Sequence, residues 1–289
     1  MLSYVREALI DAGAVSANSR LLQNVMMSFG DNISLQVYDP GRAWFHVKVT
    51  RYYDLADEFV AYRMARARFG ERVAEPITHA HIGGWSILVA RLVDHAKVRV
   101  RDLMAESPSN PLIPEMLEFF RIARATAPSD SSNDDFMRCA LQYFADAADA
   151  QTKVIRHLEQ TNSVPWAALP YIPQHGDFAL NNLGRVGDKL FIFDWEDYGA
   201  TGLAGFDICL MGLSLAGLNP ATAERMLRAE SPAAQPWPLT ARACAVSGID
   251  YAAFRASIPD YLIAFRFLKR NYGSAIRRRI DGILDHILS

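Results

Sequence analysis

Residues 175–182 read HGDFALNN and residues 191–199 read FIFDWEDYG. Within them His175, Gly176, Asp177 and Asn182 stand close together, and Asp194 follows Asn182 by twelve residues. These residue types, in this order, suit phosphoryl transfer from a metal-bound nucleotide. One carboxylate orients an attacking hydroxyl, while an amide oxygen and a second carboxylate hold Mg²⁺ against the phosphates. Mg²⁺ prefers hard oxygen donors and keeps several of its waters, so a sparse pair such as Asn182 and Asp194 suffices, without a histidine or thiolate cluster.

Between the two segments, Leu183 to Phe193 contains two short apolar stretches around Gly187-Asp188. That pattern predicts a hairpin, which would return Asp194 to the neighbourhood of Asn182. Taken singly, each residue also fits a plainer role: Asp177 capping a turn, Asn182 within a turn, Asp194 ending a strand. It is their joint spacing that points to chemistry.

These two segments resemble the aminoglycoside phosphotransferase and choline kinase-like family, whose catalytic loop reads approximately HGDxxxxN and whose metal segment reads approximately IDW or IDWE. The resemblance implies that Asp177 is the catalytic base, that Asn182 and Asp194 are the Mg²⁺ ligands, and that His175 supports the loop. It also implies an aspartate about a dozen residues after the metal aspartate that braces the loop. Asp207 in GLAGFDICLM fits that position, which is equally suited to a helix N-cap. The expected co-substrate is ATP or GTP, and the expected acceptor a small molecule with a hydroxyl group.

Upstream, the resemblance implies a lysine on a strand and a glutamate on the following helix. Residues 44–49 alternate as a strand, and Lys48 is the only lysine before residue 97. Ten residues on, Glu58 begins an amphipathic stretch containing Phe59, Tyr62 and Met64. A Lys48–Glu58 pair would aim the ammonium at the nucleotide phosphates; an unpaired surface lysine and a solvated helical glutamate fit the same residues. The phosphate-covering loop is expected at residues 28–33, where Gly30 and Asn32 are the candidate contacts; a plain hairpin turn fits the same residues, and Asp31 would repel phosphate if it pointed inward. Residues 87–93 read as an apolar strand, which in the resembling fold is the last strand of the small lobe and leads to a hinge at Asp94, His95 and Ala96; Val47, Val89 and Ile192 or Phe193 are candidate walls of a base pocket, and each is equally well an ordinary core residue.

Three departures from the family and its protein-kinase relatives stand out. Phe178, Ala179, Leu180 and Asn181 replace a common Leu-His-Pro-Gly run. Gly176 precedes Asp177 where protein kinases carry an arginine, and Trp195 and Glu196 follow Asp194 where Phe and Gly would stand. Control by activation-loop phosphorylation is therefore not expected, and a protein kinase is disfavoured. The thin phosphate loop motivates an alternative from another class, a nucleotide-binding pseudokinase or regulatory module of the same fold.

The whole chain fits this layout. Its periodicity predicts a small sheet-rich lobe with one packed helix followed by a helix-rich lobe. The resemblance implies that these form an α+β, bilobal, protein-kinase-like architecture, with residues 1–97 as a small antiparallel-sheet nucleotide-binding lobe and residues 98–289 as a larger, mainly helical catalytic and acceptor-binding lobe. Helices are expected over Ile113 to Ala125 and Asp134 to Glu159, with loops at 128–133 and 231–240. A net charge of −2 gives no general reason to expect nucleic acid or an anionic membrane as partner. The longest apolar run, Ile208 to Leu218, falls short of the roughly twenty residues of a membrane span. Cys139, Cys209 and Cys244 are odd in number and widely spaced, which predicts free thiols and a cytoplasmic location. The last thirty residues are rich in Arg266, Lys269, Arg270 and Arg277 to Arg279, a basic end that suits a cationic acceptor poorly; a solvated helix face accounts for Arg277 to Arg279 equally.

Overall fold

The computed structural model describes residues 1–29, 32–39, 43–104, 110–128, 131–146, 154–157 and 169–288; the side chains of 24–29, 43 and 274 lie outside that description. The chain separates into two compact units, one of residues 1–96 with 191–196, the other of residues 97–190 with 197–289.

The first unit opens with helix α1 (Leu2–Asp11). Strands β1 (Leu22–Phe29), β2 (Asn32–Asp39) and β3 (Ala43–Thr50) follow, then α2 (Ala56–Phe69), β4 (Pro76–Ile82) and β5 (Trp85–Arg91). All strand pairings are antiparallel, and the sheet order is β1-β2-β3-β5-β4. Period-two alternation divides the sheet into two faces. On one face Leu35, Val37, Phe45, Val47, Val49, Ile87 and Val89 are buried against Val5 and Leu9 of α1. On the other, the register pairs Lys48 with Ser34 and Leu88, and His46 with Ala90. This second face meets α2, because Lys48 reaches Glu58 there.

That alternation decides between the two readings of Val47 and Val89. Val47 and Val89 are fully buried with α1 on the face opposite Lys48, so they are core residues rather than walls of a pocket that Lys48 also lines. The residues sharing the face of Lys48 are His46, Ser34, Leu88 and Ala90.

The second unit is mainly helical. It contains α3 (Val100–Met104), α4 (Leu112–Ala125), α5 (Asp134–Asp146) and strand β7 (Leu183–Val186), while the chain passes from one unit to the other within β6 (Ala96–Lys97) and β8 (Lys189–Ile192). The hairpin turn between β7 and β8 uses Gly187 at φ 60°, where glycine carries no steric cost. Helices α6 (Phe206–Ala216), α7 (Pro220–Arg228), α8 (Thr240–Val246), α9 (Tyr251–Ala256), α10 (Ile258–Leu268) and α11 (Ser274–Ile287) complete it. Helix α10 is buried along its whole length, and Lys269, just beyond it, is buried as well. The helix expected over 134–159 is described to Asp146 and again at 154–157; the intervening residues lie outside the description. No described helix is long and apolar enough to cross a membrane.

Candidate active site

In the first unit, Lys48 Nζ donates to Glu58 Oε2 at 2.7 Å and to Glu196 Oε2 at 2.8 Å. Burial alone would lower the ammonium's pKa, but the two carboxylates outweigh it and hold the group above the ordinary lysine value. Glu58 enters through the first turn of α2, where negative charge also complements the helix dipole. Glu196 arrives on residues 191–196, which Trp195 anchors: its ring is fully buried, stacks on Phe69 at 5.4 Å, and donates from Nε1 to the Ile192 carbonyl.

The same segment presents Asp194 at φ 60°, the only non-glycine residue with positive φ among those described. A side chain in the left-handed region is strained, and such strain concentrates at functional sites. Carboxylate oxygens of Glu58, Asp194 and Glu196 lie within 4.8 Å of one another. Lys48 Nζ already holds Glu58 and Glu196, so within this set the hard oxygen donor that suits Mg²⁺ is the Asp194 carboxylate. Gly30 lies outside the described residues. Asn32 opens β2, and its Oδ1 is buried with no hydrogen-bond partner among the described residues.

In the second unit, residues 171–174 pair with 199–203: Ile172 N–H donates to the Gly202 carbonyl, and Gln174 N–H to that of Thr201. This fixes the approach to the HGD segment. Asp207 does not cap α6, whose N-cap is Gly205. Its two oxygens instead accept the backbone N–H groups of His175 at 2.7 Å and Gly176 at 3.1 Å. Complete burial drives its carboxyl up to about 7, against the opposing pull of those two donors. His175 Nδ1 accepts the Asp177 N–H at 3.2 Å, so the imidazole closes the turn from inside. Asn182 Nδ2 donates to the Asp177 carbonyl, and Asn182 Oδ1 accepts from Asn181 Nδ2, which leaves one lone pair on that oxygen.

Phe178 turns inward and is fully buried, with its ring parallel to Phe119 at 4.9 Å. The departure of FALNN from the family run thus serves the core. Gly176 has φ 88°, and a Cβ there would stand 2.6 Å from Asp197 Cβ, so no larger residue fits before Asp177. Lys269 Nζ contacts Asp197 Oδ2 at 2.8 Å and Asp177 Oδ2 at 3.3 Å.

The structure therefore gathers Lys48, Glu58 and Asp194 in one unit, and His175, Asp177, Asn182 and Asp207 in the other. Sequence reasoning missed two partners. Glu196 was legible only as the last letter of an IDWE-like run. Lys269 was grouped with a basic end, although it is buried and paired; the signal available was scarcity, since the chain has five lysines. Arg278 and Arg279 are exposed on α11, as a solvated face requires.

No protein-family model matches the chain, and no curated protein matches it in sequence. Solved structures do match it. An ethanolamine kinase of Plasmodium vivax superposes with a TM-score of 0.62 at 10% identity, covering 98% of this chain and 87% of that one. An aminoglycoside phosphotransferase in ternary complex with AMP-PNP and hygromycin B gives 0.59 at 13% identity, covering 99% and 98%. A Thermobifida fusca protein assigned as a fructosamine-3-kinase gives 0.65 at 13% identity, also covering 99% and 98%. The chain thus has the α+β bilobal fold of the aminoglycoside phosphotransferase and choline kinase-like proteins. At such identities the likeness is one of fold.

Proposed function

We propose that the chain is a small-molecule kinase that moves the γ-phosphoryl group of ATP or GTP to a hydroxyl of a small acceptor. The observation that carries this reading is the binding of both Asp207 oxygens to the amides of His175 and Gly176, which holds Asp177 on a fixed turn. A positioned carboxylate of this kind supplies what phosphoryl transfer asks of a protein, orientation more than covalent chemistry.

In this reading Asp177 orients the acceptor hydroxyl and takes its proton as the oxygen attacks phosphorus. His175 and Asp207 hold the turn. Lys48, aimed by Glu58, meets the nucleotide phosphates, with Gly30 and Asn32 as further contacts there. Asn182 and Asp194 would hold Mg²⁺, which neutralises charge on the phosphates when bound. The domain roles follow: residues 1–97 bind nucleotide, and residues 98–289 carry the base and receive the acceptor. A cytoplasmic site of action accords with the free thiols of Cys139, Cys209 and Cys244.

The test separates the two aspartates. Asp177→Asn should leave Mg-nucleotide binding nearly intact while lowering turnover by roughly 10² to 10⁴. Asp194→Ala should weaken metal-dependent nucleotide binding as well as turnover. Calorimetry with a non-hydrolysable nucleotide, with and without Mg²⁺, reads the first property; nucleotide consumption across a panel of hydroxyl acceptors reads the second. Tight nucleotide binding with no acceptor-stimulated turnover would point instead to a pseudokinase.

A further inference from the structure

On the face of the sheet that meets α2, His79 and His81 of β4 point the same way, as residues two apart on a strand must. Their Nε2 atoms each lie 3.0 Å from one oxygen, Oδ1 of Asp54, in the segment that enters α2. The same Oδ1 accepts the Ala56 N–H at 2.9 Å and lies 3.3 Å from the Ser86 hydroxyl. Ser86 Oγ in turn lies 3.0 Å from His79 Nε2 and accepts the Leu55 N–H.

Both imidazole nitrogens therefore converge on one carboxylate oxygen. Ser86 Oγ and solvent can share the protons among these groups in the absence of an ion. The same convergence presents two imidazole lone pairs and a carboxylate lone pair to one point, where a cation could take all three as ligands.

We propose that Asp54, His79 and His81 form a site for a divalent transition-metal ion of the zinc class. All three donor atoms lie within 4.8 Å of one another. Metal bonds of about 2.0–2.1 Å place neighbouring donors of a tetrahedral site roughly 3.3–3.4 Å apart, so small side-chain rotations convert the present cluster into a coordination shell. Two imidazoles with one carboxylate select zinc-like ions over Mg²⁺ or Ca²⁺, and leave a fourth position for water. Entry is open, since the Asp54 and His81 side chains are 56% and 58% exposed, while His79 at 14% supplies a fixed point. The ion would tie β4 to the start of α2, whose first turn carries Glu58.

The site uses none of the residues assigned to phosphoryl transfer, and its test needs no activity. Chelator-treated protein is titrated with Zn²⁺ by calorimetry in the presence of excess Mg²⁺, and with Co²⁺ by absorption spectroscopy. The expected result is one saturable site per chain with the Co²⁺ spectrum of a four-coordinate nitrogen and oxygen shell, together with a melting temperature several degrees higher when Zn²⁺ is in large excess over its Kd. Affinity should fall at least tenfold in His81→Ala, whose exposed side chain can be removed without a core defect, and further in His79→Ala/His81→Ala. His286→Ala, a histidine elsewhere, should bind as wild type does. Binding that persists in the double variant, that Mg²⁺ abolishes, or that never saturates would overturn the proposal.

Discussion

Lys269 and Asp177 meet at 3.3 Å although ninety-two residues separate them in sequence. The lysine is buried, and it also bridges to Asp197, so one ammonium fixes two carboxylates of the same unit. Lys269 is therefore a positioning residue for the proposed base.

Replacing it with methionine keeps the length of the chain and removes the charge. Lys269→Met is expected to lower kcat by roughly 10 to 10², the cost of a misplaced reacting group. Nucleotide affinity should be unchanged, because Lys48 and Asp194 are untouched. Stability should fall by about 1–3 kcal/mol, less than for a fully buried pair because both carboxylates retain some exposure. Steady-state kinetics beside calorimetry checks this, and an equal loss of nucleotide binding would show a merely structural role.

Gly176→Ala tests the same region through the backbone. The residue has φ 88°, and its new methyl would press on Asp197 Cβ at 2.6 Å and the Asp197 carbonyl at 2.7 Å. Strain of about 1–3 kcal/mol follows, and the displaced Asp197 should disturb Lys269. The expected phenotype is a lower melting temperature with turnover reduced more than nucleotide affinity.

His46 gives the first unit a pH dependence. Its ring accepts from or donates to Ser34 Oγ at 2.6 Å, and burial, with a contribution from Lys48, pushes its pKa down to about 4. The unfolded chain, titrating near 6.5, then binds more protons than the folded one between pH 4 and 6.5. Stability from this group is complete above about 6.5 and is lost as pH falls towards 4. With the ring only partly covered, the loss is on the order of 2 kcal/mol. Denaturant melts across that window should show wild type losing on the order of 2 kcal/mol towards pH 4 that His46→Gln does not lose; parallel curves would exclude the residue as the source.

Thiol labelling distinguishes the cysteines. Cys139 is exposed and should react in the native protein, whereas Cys209 and Cys244 are buried, with thiol pKa values raised by that burial, and should react only on unfolding. Intact mass should not change on reduction.

Much of this was legible because the signals are local. Alternation around Lys48, the amphipathic run from Glu58, and the Gly187-Asp188 turn each specify their elements within a few residues. Helix α4 begins one residue before its expected start. For Val47 and Val89 the core reading holds over the pocket-wall one, for a reason visible in the same alternation: Val47 differs from Lys48 by one position, and an odd step on a strand moves a side chain to the other face. The pairing of Asp177 with Lys269 and of Lys48 with Glu196 depends on contacts across 92 and 148 residues, which no local pattern encodes. Asp207 accepts from the amides of His175 and Gly176, contacts across about thirty residues, and it does not cap α6, which begins after Gly205.

Asp194 stands in a backbone conformation that glycine adopts without strain. Asp194→Gly relieves that strain but gives up the side chain's own contacts and frees the unfolded chain. Its melting temperature should therefore stay within a few degrees of wild type while metal-dependent nucleotide binding collapses. A variant that keeps its fold and loses its ligand would show that this position is held by chemistry rather than by durability.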